Sequence, residues 1–183
     1  MAETDSNGWS KKYLYGKNML ILTIVGSGKW QFDRLLRAMD EIASETPHKV
    51  ICQTGFSHYT PKQCEWFTFK PYEQLIAHYR EADLVVAHAS AGPRIYAVKF
   101  GKPIIIMPRD NTLGENLDGH QLEVAAAIKK ENYPTQKVIY SADELPAAIE
   151  MFACPGIPHK APDTGLSRLI SALRQEIGLQ GGN

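Results

Sequence analysis

Residues Leu84–Pro108 read LVVAHASAGPRIYAVKFGKPIIIMP. Two apolar runs, LVVA and PIIIM, flank a segment that opens HASAGP. Neither run shows the polar alternation of a half-exposed strand, so each reads as a buried strand of a parallel sheet. Arg94–Phe100 between them reads as a short helix. A buried strand that runs straight into a histidine, small residues and a proline must end in a tight turn.

The pattern repeats outward from this unit. Met19–Val25 (MLILTIV) is apolar on both faces, as a central parallel strand requires, and GSGKWQ follows as a loop. From Phe32 the period becomes helical: Phe32, Leu35, Leu36, Met39, Ile42 and Ala43 share one face, and Asp33, Arg34, Arg37, Asp40 and Glu41 the other. Pro47 ends that region. Lys49–Gln53 and Glu65–Phe69 read as strands, Tyr72–Ala82 as a helix and Leu84–Ala87 as a strand. Pro103–Met107 is a further strand, followed by a loop from Pro108 to Asp118 and a helix over Gly119–Glu131. Lys137–Tyr140 is the last strand, and Ala142–Phe152 a helix capped by Ser141.

Alternating strands and helices specify an α/β fold, a Rossmann-like doubly wound parallel sheet. The strand order is not readable. Three segments are expected: a flexible tail over residues 1–18, the α/β domain over 19–152, and a C-terminal stretch over 153–183. That stretch combines the connector CPGIPHKAPDTG with an amphipathic helix carrying Leu166, Leu169, Ile170, Leu173 and Ile177 on one stripe.

The chain has 183 residues, enough for one domain with a sizeable core. Lys plus Arg and Asp plus Glu number 20 each, a balance that argues against a nucleic-acid partner. Cys52, Cys64 and Cys154 form no zinc-ligand pattern and read as reduced thiols of a cytoplasmic protein, with Cys52 buried in its strand. The first 18 residues lack the apolar core of a signal peptide, and no run reaches the ~20 apolar residues of a membrane span.

Ligands of open α/β sheets sit beyond the carboxyl ends of the strands. Four segments are expected there: Gly26-Ser27-Gly28, Thr54-Gly55, His88–Pro93 and Pro108-Arg109. In HASAGP, Ser90, Ala91 and Gly92 admit close approach to the backbone, and Pro93 suits the first helical position. The helix behind would aim free N–H groups at an anion, with His88 and Arg94 nearby. Taken alone, these residues favour a plain strand-to-helix turn. Gly26-Ser27-Gly28 fails as a dinucleotide fingerprint, because Gln31 stands at the third glycine and no acidic residue ends the second strand. Gly28-Lys29-Trp30 fails as a P-loop for want of a hydroxyl residue. His120-Gln121 opens a helix and offers hydrogen bonds to sugar or phosphate. His48, His58, His78 and His159 read as surface residues, and no metal cluster is evident.

The ordered series ILTIVGSGKWQFDRL, CQTG, ADLVVAHASAG, GKPIIIMPR and GHQLEVA resembles the C-terminal, donor-binding domain of glycosyltransferase family 28. The resemblance covers Met19–Phe152 and is nearest to the stand-alone small subunits, those of bacterial exopolysaccharide glycosyltransferases of glucuronosyltransferase type among them. It implies the C-terminal half of a GT-B fold and inverting transfer from a UDP-sugar, a donor substrate with no further cofactor or metal. The partners implied are a membrane-associated acceptor-binding subunit and a lipid-linked saccharide acceptor. The catalytic base would belong to that subunit, which would also recruit this cytoplasmic chain to the inner face of the membrane. Carried over by position, Gly26, Ser27 and Gly28 would face the diphosphate, His88, Ser90, Ala91 and Gly92 would cradle it, Arg109 would lie near the nucleotide, and His120 and Gln121 would contact donor sugar or phosphate.

The chain departs from the family where the donor is held. Ser90 replaces a glycine, Pro93 a hydroxyl residue, and Tyr96 the glutamate that grips the ribose. A phenol is no bidentate acceptor. Losing such a charge-assisted contact costs on the order of 1.5–3 kcal/mol, roughly ten- to hundredfold in affinity. These departures motivate an alternative, a non-catalytic scaffold that keeps the fold. A nucleotide-sugar epimerase is disfavoured, because Lys99 falls one step short of a Tyr-x-x-x-Lys spacing from Tyr96.

Overall fold

The computed structural model describes residues 17–154. The expected tail before Lys17 and the connector and helix beyond Cys154 lie outside them. The described residues form one six-stranded sheet, in the chain order β1 (Leu20–Ile24), β2 (Lys49–Gln53), β3 (Glu65–Phe67), β4 (Leu84–Ala87), β5 (Ile104–Ile106) and β6 (Gln136–Val138). Their spatial order is β3-β2-β1-β4-β5-β6. Every neighbouring pair is parallel, with Ile21 opposite Val50 on one side and Leu84 on the other. This is the Rossmann order, which the sequence left open.

Both faces of the sheet are covered, which explains the continuous apolar strands. One layer holds α1 (Asp33–Glu45) and α5 (Leu145–Ala153); its core joins Leu35, Leu36, Met39, Ile149 and Phe152 to Ile21, Val50, Val86 and Ile105 of the sheet. The other holds α2 (Tyr72–Glu81), α3 (Ala91–Lys99) and α4 (His120–Glu131); Tyr79, Ala97, Ala125 and Ile128 meet Leu22, Ile24, Ile51, Val85 and Ile104. Neighbours along one strand, such as Ile21 and Leu22, serve opposite layers, as the two-residue period dictates.

Several boundaries differ from the sequence reading. Helix α3 begins at Ala91 with Ser90 at its N-cap, so Pro93 occupies the third helical position, not the first. The correction is harmless to the helix, since the first four N–H groups have no intrahelical partner. Strand β3 stops at Phe67, and β6 is Gln136–Val138, not Lys137–Tyr140. The expected Ala142–Phe152 helix is a 3-10 turn, Ala142–Glu144, running into α5. Ser141 does cap it: its hydroxyl accepts from Asp143 N, and Glu144 Oε1 accepts from Ser141 N at 3.0 Å.

Two histidines expected at the surface are not there. His48 is buried, and its Nδ1 accepts the Met19 amide proton at 3.2 Å, just before β1. That contact spans 29 residues, beyond the reach of local pattern. His78 is half-buried, stacked on Phe67 at 5.4 Å. His58 is exposed as expected, and His159 lies outside the described residues. Cys52 is buried, as expected, and Cys64 with it.

The β2–β3 connection has no helix. Residues 54–64 instead lie against α1, tied by two of its carboxylates. Asp33 Oδ1 accepts from the amides of His58 and Tyr59 at 2.8 and 3.1 Å. Asp40 is buried and accepts from the Tyr59 hydroxyl at 2.6 Å and from the amides of Lys62, Gln63 and Cys64. Burial alone would raise the Asp40 pKa, but these donors outweigh it and bring it to about 2.

Asp40→Ala removes the acceptor from a phenol and three amides. We expect a loss of about 2 kcal/mol in urea unfolding, read as a lower midpoint at unchanged m-value. Because its folded pKa is depressed, the Asp40 contribution is complete above its unfolded pKa and fades as pH falls from about 4 towards 2. The variant should lack that acid-induced loss.

Candidate functional site

β1 and β4 are neighbours whose chains leave in opposite directions, β1 through α1 to β2 and β4 through α3 to β5. The crevice between their carboxyl ends is the switch point at which such sheets bind ligands. A cavity of about 60 Å³ opens there. Val25, Gly28 and Trp30 line it from the β1–α1 loop, His88 from the end of β4, and Arg109, Asn116 and Gln121 from the β5–α4 side. Drug-sized ligand pockets occupy roughly 300–1,000 Å³, so this cavity alone is too small to enclose a nucleotide.

Arg109 holds the wall together. Its residue is 3% exposed, and its guanidinium donates only to backbone carbonyls. One terminal nitrogen reaches Trp30 O at 2.6 Å, Gln31 O at 3.2 Å and Glu115 O at 3.0 Å; the other reaches Val25 O at 2.6 Å. The side chain thus joins the end of β1, the loop after it and the loop after β5. Its backbone N–H donates to Gln121 Oε1 at 3.1 Å. Burial lowers its pKa and Glu115 opposes that shift. Glu115, 1% exposed, accepts from Arg34 Nε at 2.7 Å and Asp110 N at 2.9 Å.

His88 lies under Gly26. A Cβ at Gly26 would stand 2.6 Å from His88 Cε1, and Gly26 has φ +86°, so glycine is required there on both counts. His88 Nδ1 faces Ile24 O at 3.3 Å. A carbonyl only accepts, so Nδ1 carries the hydrogen and Nε2 a lone pair. Burial depresses the ring pKa, the Ile24 hydrogen bond raises it, and the Arg109 charge lowers it again, to about 4. At neutral pH the ring is uncharged.

The expected site residues divide. Gly28, His88, Arg109 and Gln121 meet at the cavity, with Gly26 against His88. Ser27 is exposed beside it. Ser90 caps α3 through backbone position alone, and Ala91 and Gly92 form the exposed first turn. His120 is not among the lining residues; it is exposed, 3.9 Å from Glu123. Arg94 turns away and pairs with Glu131 and Gln136. Tyr96 packs against Tyr72 and Tyr79, ring centroids 6.2 and 5.3 Å away, between α2 and α3. Asn116 and Trp30 were missed. Both lie in loops singled out for other residues, and the Arg109 bonds to Trp30 O and Glu115 O hold those loops at the cavity.

Arg109→Met should orphan the carbonyls that the guanidinium gathers and cost about 3 kcal/mol in chemical unfolding. His88 has a sign opposite to an acid-stabilised group. Its folded pKa lies below the unfolded ~6.5, so the unfolded chain binds more protons as pH falls from 6.5 to 4. Stability should fall across that window, the His88 share reaching about 3 kcal/mol, and His88→Gln should flatten the slope.

Residues 20–153 match the glycosyltransferase family 28 C-terminal domain. The UDP-N-acetylglucosamine transferase subunit ALG13 of Homo sapiens is 28% identical over 117 residues, 58% of this chain and 10% of that protein. The chain thus spans about a tenth of that relative's length. Among solved structures, CalG4, the calicheamicin glycosyltransferase, superposes with a TM-score of 0.57 at 15% identity, over 90% of this chain and 43% of that one. The solution structure of ALG13 superposes with a TM-score of 0.52 at 16% identity, over 87% of this chain and 94% of that one. At such identities these two speak for the fold, the Rossmann-like half of a GT-B architecture. The matched residues take in the whole sheet and both helical layers, and the chain belongs to the glycosyltransferase family 28 C-terminal domains.

Proposed function

We propose that this chain is the donor-binding subunit of an inverting UDP-sugar glycosyltransferase whose acceptor half is a separate, membrane-associated partner. The observation that carries the reading is the cavity at the β1/β4 switch point, about 60 Å³ and open on one side. A nucleotide sugar needs a second wall, and a facing domain would supply it. The name of the human relative, a transferase subunit, supports the same division of labour.

In this reading the free amides of Ala91 and Gly92, at the start of α3, point their hydrogens at the diphosphate and stabilise it as it departs. Gly26–Gly28 lets that group approach the backbone. The neutral His88 offers a lone pair rather than a charge. The acceptor is a lipid-linked saccharide in polysaccharide assembly, and the partner carries the base that deprotonates it. Among the described residues no helix is long and apolar enough to cross a membrane. In this reading the partner provides attachment at the inner face of the membrane.

A second reading, a scaffold that binds no donor, is favoured by Tyr96, which is packed between Tyr72 and Tyr79 where the family places its ribose-gripping glutamate. UDP titrated into the labelled chain separates the two. Saturable amide shifts at Gly26–Gly28 and His88–Gly92, with Kd on the order of 1 mM or below, are expected of a donor subunit. Absence of such shifts with UDP and with a range of UDP-sugars would sink the donor reading.

A further inference from the structure

Lys29 stands between Gly28 and Trp30, two residues that line the cavity. Its side chain is exposed, and its Nζ lies 5.4 Å from the centroid of the Trp30 ring. The ammonium is thus folded over one wall of the cavity, at its rim. A cation on an exposed aromatic face is held weakly and is free to leave it for an anion. The backbone beneath is fixed, because Trp30 O accepts from the buried Arg109 guanidinium at 2.6 Å. A flexible stem with an ammonium at its tip therefore rises from an anchored loop.

The other charges near the cavity are already committed. Arg109 donates to four carbonyls. Arg34, at the start of α1, donates to Glu115, Tyr140 O and Pro108 O. Arg94, in α3, pairs with Glu131. His88 is uncharged at neutral pH. On the acidic side, Glu115 is buried against Arg34, whereas the Asp118 carboxylate, bonded to the lining residue Asn116, would repel an incoming anion. Among the described residues of the loops after β1, β4 and β5, Lys29 is the positive charge without a carboxylate partner. A diphosphate in the crevice would lie between the loop after β1 and the first amides of α3, after β4. Neutral amides orient such a group without cancelling its charge.

Resting on the donor-site reading above, we propose that Lys29 leaves the Trp30 face to pair with the diphosphate of the nucleotide donor. This lysine, not the sequence-expected Arg109, supplies the countercharge, and Arg109 positions it from below through Trp30 O.

The test titrates uridine, UDP and UDP-glucuronate into the full chain, Lys29→Met and Lys29→Arg by calorimetry or NMR at low and high salt. Lys29→Met should weaken UDP about tenfold and flatten the salt dependence of its affinity, while uridine binds unchanged. Lys29→Arg should restore most of the UDP affinity, because the charge returns. The lysine is exposed, so the urea midpoint of each variant should match that of the parent chain. UDP binding to Lys29→Met as tightly as to the parent, or a loss shared equally by uridine, overturns the proposal and leaves the donor site standing. A loss confined to UDP-glucuronate, with UDP unmoved, places the ammonium on a sugar carboxylate and overturns it equally. Failure of UDP and UDP-glucuronate to bind at all overturns the donor-site reading, and this inference with it.

Discussion

The parallel pairing of β1 with β4 is the constraint from which the remaining architecture follows. Ile21 to Ile24 lie opposite Leu84 to Ala87, and the chain approaches these two strands from different halves of the fold. Right-handed crossovers leaving them in opposite directions must place α1 and α3 on opposite faces. Both faces then need cover, the strands must be apolar throughout, and the loops at their carboxyl ends must part. The crevice is therefore a by-product of chain direction, present before any side chain is chosen to fill it.

What that crevice becomes depends on how loops with no regular structure are kept in place. Arg109 does this with a charge turned inward. A buried guanidinium is costly unless its hydrogens are matched. Here four carbonyls from three segments match them, so leaving the site would cost those segments together. The contrast with His88 is instructive: one ionisable group is kept charged by carbonyls, the neighbouring one kept neutral by burial and by that same charge.

Much of this was legible in the sequence. Buried strands announced themselves as apolar runs, and Gly26, His88 and Gln121, which the fold brings together, were singled out through the family resemblance. Strand order was not legible, since it resides in pairings such as Ile51 with Glu65 that no local pattern encodes. Arg109 was expected to approach a ligand, because a lone arginine after a strand carries no sign of the carbonyls awaiting it up to 84 residues away. His48 was misplaced for the same reason. Asn116 needed the fold before it meant anything, whereas Tyr96, picked out through the family pattern, is half-buried against Tyr72 and Tyr79.

The helix-free connection between β2 and β3 has a consequence for how the domain breathes. Strand β3 is short, at the sheet edge, and reached through a loop fastened to α1 by carboxylates. Local opening releases whatever unit has the least apolar area and the fewest ties. The 54–67 segment hangs on the Asp33 and Asp40 carboxylates, and its release from α1 and β2 would leave the four strands from β1 to β6 paired. Amide exchange at Lys62–Cys64 would then report a sub-global event, and the far edge of the sheet would be the first place where its backbone is offered to another chain.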